Sequence, residues 1–162
     1  MNPISQLFRI EEGGLDDPRV LALVEYHVRA ARAQTEVGSA HAIGTSGLSA
    51  PNVRFWSAWD GGTLVGIAAL KRLSPDHGEI KSMHTAIEHR GRGVGSALVA
   101  HIVAIAREMG LSRLSLETGS WEYFKPAHAL YRRHGFVECD SFGDYEADVN
   151  SLFFTLHVID LE

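Results

Sequence analysis

A single cysteine, Cys139, excludes an internal disulfide framework and fits a reducing compartment such as the cytosol. No apolar run approaches the ~20 residues needed to cross a bilayer, so a membrane role is not expected. The start, Met1 to Gln6, lacks the basic and apolar stretches of a signal peptide, so the expected location is cytoplasmic. A net charge of −5 removes the broad basic face that a nucleic-acid binder of this size relies on. Nine histidines are present, yet none stand in an H-E-x-x-H arrangement, and no metal is expected. There is no internal repeat and no long low-complexity segment. What remains is ordinary for a globular chain, with 45% hydrophobic and 22% charged residues. At 162 residues it has the size of one domain, 1–162, able to bury ~70% of its unfolded surface.

The pattern along the chain alternates strands and helices. Leu7 to Ile10 reads as a first strand. Asp16-Asp17-Pro18 supplies an N-cap and a first-turn proline for a helix carrying Val20, Leu21, Val24, Val28 and Ala31 on one face. The glycine- and serine-rich segment 38–51 reads as a loop with a short helix, either a lid or a plain connection. Val53 to Trp59 and Thr63 to Leu73 flank Asp60-Gly61-Gly62, a hairpin signal. A turn at 74–78 leads into a strand, Glu79 to Thr85. The clearest helix carries Val94, Ala97, Leu98, Ile102, Ile105 and Met109 and stops at Gly110. Strand 113–118, helix 125–134, a strand at Phe136, an acidic loop and a last strand, 152–159, complete an α/β chain with a mixed sheet.

The most informative loop is Arg90-Gly91-Arg92-Gly93-Val94-Gly95, between a strand and that helix. Glycines let the backbone wrap closely around a ligand. The unpaired N–H groups and the dipole of the following helix favour an anion such as a pyrophosphate, with Arg90 and Arg92 adding charge. A Walker A loop would require a later Gly-Lys-Ser/Thr, and a dinucleotide fingerprint a G-x-G-x-x-G in the first βαβ unit; neither is present. By itself the loop could equally be a turn with exposed arginines.

Arg90 to Gly95 resembles the Q/R-x-x-G-x-G/A motif of the GNAT superfamily of N-acetyltransferases. Leu130-Tyr131-Arg132-Arg133-His134-Gly135-Phe136 is similar to that family's L-Y-x-x-x-G-F signature, and the likeness extends over nearly the whole chain. The resemblance implies a mixed, mostly antiparallel sheet of about seven strands flanked by helices, with strand 79–85 splayed from strand 113–118. It implies that acetyl-CoA enters the splay, its pantetheine arm beside Met83, His84 and Thr85. The pyrophosphate would lie on Arg90, Gly91, Arg92, Gly93, Val94, Gly95 and Ser96. The implied reaction is direct transfer of an acetyl group to a primary amine whose identity the sequence does not give.

That chemistry needs a base to free the amine and an acid for the leaving thiolate. By the same resemblance Tyr131 is the candidate acid, against a purely packing role. Alternation puts Glu79, Lys81, Met83 and Thr85 on one strand face, and Glu79 ranks above Glu117 as candidate base, with a water relay also open. Many members of the family carry an asparagine where this chain has Phe124, which puts one pantetheine contact in doubt. His84 and His128 would lie near the cleft. The carboxylates Glu138, Asp140, Asp144, Glu146 and Asp148 read first as a solvated loop, and second as an attractor for a cationic acceptor. Cys139 has no accompanying His/Asp pattern for an acyl-carrying role. The last strand could be half of a homodimer interface or an inner strand of one monomer. A silent acyl-CoA-binding or interaction module is the alternative function.

Overall fold

The computed structural model describes residues 8–33 and 44–159. Among these residues seven strands form one sheet: β1 (Arg9–Glu12), β2 (Val53–Asp60), β3 (Thr63–Ser74), β4 (His77–Thr85), β5 (Arg113–Gly119), β6 (Val137–Cys139) and β7 (Ser151–His157). Their spatial order is β1-β2-β3-β4-β5-β7-β6, and every neighbouring pair is antiparallel except β4–β5. Among the described residues four α-helices accompany it: α1 (Pro18–Ala33), α2 (Thr45–Leu48), α3 (Val94–Glu108) and α4 (Lys125–Arg133). This is the mixed α/β architecture expected. Residue 7 and residues 38–43 of the glycine-rich segment lie outside the described residues; α2 is its short helix.

Local signals account for most boundaries. Asp17 caps α1, its Oδ1 accepting the Arg19 N–H at 2.8 Å, as the Asp-Asp-Pro run predicts. Gly61, at φ +59°, turns β2 into β3 with a two-residue loop. Gly110, at φ +77°, ends α3, and the Leu111 N–H reaches back to the Ala106 carbonyl at 3.0 Å.

The two sheet faces bury separate cores. Leu70, Ile80, Leu114, Leu116 and Phe154 pack with Leu98 and Ile102 of α3 and Tyr131 of α4. On the opposite face Ile67, Ala69 and Phe55 pack with Val20 and Val24 of α1. β7 is an inner strand, paired on both sides within the chain by β5 and β6.

One feature of β4 departs from simple alternation. Ala69 pairs with Lys81 but Ile67 with His84, so β4 carries one more residue than β3 across this interval. Ser82 takes φ +54°, the left-handed conformation of a bulge. The extra residue flips the strand. Lys81 and His84 therefore share the α1 face with Ala69 and Ile67, whereas Met83 packs against the α3 core. The expectation that Glu79, Lys81, Met83 and Thr85 share one face is corrected here: the bulge separates the first pair from the second.

Beside the bulge the sheet opens. β4 and β5 are paired only at His77↔Arg113, Gly78↔Leu114 and Glu79↔Ser115. β5 then follows β7 to Gly119. There the His128 Nε2 of α4 lies 2.8 Å from the Gly119 carbonyl oxygen. The Phe124 ring packs so closely on Gly119 that an added Cβ would meet ring atoms at 2.2 and 2.3 Å. A Gly119→Ala substitution is therefore expected to destabilise the fold by ~1–3 kcal/mol through overpacking. Thermal denaturation checks this, and pairing it with Phe124→Ala should recover part of the loss.

Candidate active site

The opening between β4 and β5 is part of a cavity of about 510 Å³ lined from both sheet faces. From the α1 side come His27, Glu79, Lys81 and Tyr145; from the α3 and α4 side come Met83, Gly95, Leu130 and Tyr131. The cavity thus passes through the sheet where the strands have parted.

The groups at one mouth favour an anion. The first intrahelical bond of α3 runs from the Ala97 N–H to the Gly93 carbonyl at 3.0 Å, so the N–H groups of Val94, Gly95 and Ser96 precede the ladder. Gly91 and Gly93 have φ of +77° and +88°, which L side chains rarely adopt, and a Cβ on Gly91 would meet nothing within 4 Å. Gly95 serves packing: its Cβ would lie 2.9 Å from Leu130 Cδ2, so only glycine lets α4 approach α3 this closely. The Ser96 hydroxyl is 3.0 Å from His134 Nε2, and Val94 is buried.

The residues given catalytic or CoA-binding roles from sequence line this cavity except Arg92, and His128, expected near the cleft, does not line it. The Arg92 guanidinium pairs with Asp60 at 2.6 Å and lies 2.6 Å from His89 Nδ1, over the Phe8 ring. It braces the glycine loop against the β2–β3 hairpin, while Arg90 stays exposed at the mouth.

Tyr131 sits beneath this mouth, 5% exposed, its ring 5.8 Å from that of Phe136 and 6.3 Å from that of Phe154. Burial raises its pKa, so the phenol keeps its proton at neutral pH.

On the α1 side the carboxylates are engaged. Glu79 is 3% exposed; its Oε2 accepts the Tyr145 hydroxyl at 2.5 Å and the Lys81 ammonium at 3.2 Å. Lys81 also donates to the Tyr145 oxygen at 2.8 Å. Glu117 accepts the Ser151 hydroxyl at 2.7 Å. Sequence reasoning missed Tyr145 because it weighed the 138–148 loop only by its acidic residues. The usable signal was the aromatic pair Phe142 and Tyr145: their rings pack at 5.3 Å and each lies 5.7 Å from Phe153, anchoring the loop over the sheet. Of the loop carboxylates, Glu138 pairs with Arg132 at 2.8 Å and Asp148 caps the Asn150 N–H at 2.9 Å.

His84 faces His27 of α1, their Nδ1 atoms 2.9 Å apart, so one ring donates and the other accepts. Burial, with Lys81 nearby, pulls His27 down to about 4; burial, with His27 and Arg90 nearby, pulls His84 down to about 3. Among the described residues no group of three or more His, Cys, Asp or Glu could hold a metal ion, and no helix is long and apolar enough to cross a membrane.

The profile of the Acetyltransferase (GNAT) family matches residues 18–136. The chain belongs to the GNAT acetyltransferase family. It is 45% identical over 150 residues to YedL of Escherichia coli (strain K12), an uncharacterized N-acetyltransferase, covering 93% of this chain and 94% of that one. It is 44% identical over 137 residues to YsnE of Bacillus subtilis (strain 168), also an uncharacterized N-acetyltransferase, covering 85% and 91%. Among solved structures, a Klebsiella pneumoniae protein assigned as an acyl-CoA N-acyltransferase superposes with a TM-score of 0.76. It has 25% identity and covers 94% of this chain and 99% of that chain. The GNAT fold accounts for the parallel β4–β5 pair in an otherwise antiparallel sheet.

The histidine pair gives this GNAT domain a pH signature. Unfolded imidazoles protonate near 6.5, whereas these two stay neutral down to about 4 and about 3. Below the unfolded value the unfolded chain binds more protons, so acidification favours unfolding. The melting temperature should fall as pH drops from 6.5 towards 4, and His84→Gln should flatten that slope in thermal melts across pH.

Proposed function

We propose that the chain transfers an acetyl group from acetyl-CoA directly to a primary amine. The observation that carries this reading is the cavity itself, which joins the mouth at the glycine loop and open helix start on one sheet face to a buried carboxylate on the other. The residues at that mouth fit a CoA thioester. Three N–H groups at the start of α3 and the exposed Arg90 would hold the pyrophosphate, and Gly91 leaves room for it. The gap beyond Glu79↔Ser115 would take the pantetheine arm, beside Met83 and Thr85. Phe124, which lines the same cavity, would meet that arm with a ring rather than an amide.

The chain's own groups divide the chemistry. Alkylammonium ions have pKa near ~10.4, so an acceptor must lose a proton before attack. Glu79 serves as the base on the α1 face. Backbone N–H groups at the Ser82 bulge would polarise the thioester carbonyl. Tyr131 holds its proton at neutral pH and would give it to the leaving sulfur.

Two measurements test this reading. Isothermal titration should show acetyl-CoA binding that weakens at least tenfold, ~1.4 kcal/mol, in Arg90→Ala/Gly93→Ala. Gly93 sits at φ +88°, where an alanine costs ~1–2 kcal/mol before any phosphate contact is lost. Tyr131→Phe should lower kcat for thiol release by ~10²-fold or more while acetyl-CoA still binds. Absence of binding by the wild type would overturn the proposal.

A further inference from the structure

The base assigned above has a difficulty of access. The Glu79 side chain is 4% exposed and that of Lys81 is 9%. Glu79 Oε2 already accepts Tyr145 at 2.5 Å and Lys81 at 3.2 Å. Tyr145 is less buried than Glu79 and lines the same cavity. Its hydroxyl donates to Glu79 and accepts from Lys81 at 2.8 Å.

We propose that Tyr145 is a catalytic residue, its hydroxyl meeting the acceptor amine and relaying the amine proton to Glu79. The inference rests on the acetyltransferase reading. The ammonium proton passes to the Tyr145 oxygen as the phenol's own proton passes to Glu79 Oε2, leaving a neutral amine. The amine attacks the thioester carbonyl; a C–N bond forms and the C–S bond breaks. The sulfur takes the Tyr131 proton, and the proton lost from nitrogen on amide formation restores Tyr131. Glu79 then returns its proton through the phenol to water, so one proton is released per ammonium consumed.

The surroundings suit a group that passes a proton without keeping a charge. Burial, with Glu79 and Glu117 nearby, raises the Tyr145 pKa, so a lasting phenolate is disfavoured. Lys81 steadies the oxygen from β4, its ammonium also 5.5 Å from the ring centroid. Phe142 and Phe153 fix the ring by edge and tilted contacts at 5.3 and 5.7 Å.

The test uses two simple acceptors: propylamine, which arrives protonated at neutral pH, and trifluoroethylamine, which arrives mostly neutral and needs no relay. Thiol release from saturating acetyl-CoA is followed for wild type, Tyr145→Phe and Glu79→Gln. Phenylalanine keeps the ring contacts and leaves Lys81 on Glu79, so the melting temperature should hold. In Tyr145→Phe, kcat with propylamine should fall ~10²–10⁴-fold. The KM for acetyl-CoA should not change, and trifluoroethylamine should react at close to the wild-type rate. Glu79→Gln, which loses the pairing with Lys81 and is assayed below its lowered melting temperature, should show the same selective loss, a second reading of the relay should Tyr145→Phe fold poorly. Unchanged propylamine turnover in Tyr145→Phe would mean that Glu79 works without the phenol. Equal loss on both amines would mean that Tyr145 only supports the fold. Either result overturns the relay and leaves acetyl transfer standing; a wild type inactive on both amines counts against both.

Discussion

Between Glu79↔Ser115 and the tips of their strands, β4 and β5 share no hydrogen bonds, and the arrangement around them follows from that parting. Backbone N–H and C=O groups in a sheet interior must find partners, so a gap of this kind needs support on both sides. β5 obtains its support from β7, which pairs with it along its whole length. At its end, Gly119 is held by His128 from α4 and by the Phe124 ring. β4 obtains its support from β3, at the cost of a bulge at Ser82 that the partner strand does not share. The gap and the bulge are adjacent, and together they bring groups from both sheet faces to one cavity.

The bulge decides which chemistry stands on which side. Without it Lys81 and Met83 would share a face. With it, the polar set of Glu79, Lys81 and His84 turns to α1, while Met83 joins the apolar wall beneath α3. A thioester reaching from the α3 mouth and an amine reaching from the α1 side would meet where the backbone changes sides. Pre-set geometry of this kind reduces the entropy cost of bringing two reactants together.

Much of this was legible in the sequence where the signal is local. The stripe from Val94 to Met109 announces α3, Asp60-Gly61-Gly62 announces the hairpin, and Gly110 announces the helix stop, each depending on residues within a turn or two. The glycine loop and the open start of α3 were legible because glycine spacing and a helix start suffice to describe them. The face reversal in β4 was not, because one extra residue leaves composition unchanged and shows only against the register of β3. The contrast between Arg90 and Arg92 was also hidden. Two residues apart in one loop, one stays at the mouth and the other pairs with Asp60, 32 positions away. Tyr145 escaped notice for the same reason, since it meets Glu79 across 66 positions.

The buried trio of Glu79, Lys81 and Tyr145 also bears on how this chain can change over generations. Removing one member of a buried charge pair leaves the other uncompensated, at ~3–5 kcal/mol, a large share of the stability of a typical domain. A lone replacement of Lys81 or Glu79 is therefore a steep step, while paired replacement is a shallow one. Among descendants of a common ancestor these positions should drift as a unit, so that an altered residue at one is matched by a compensating residue at another.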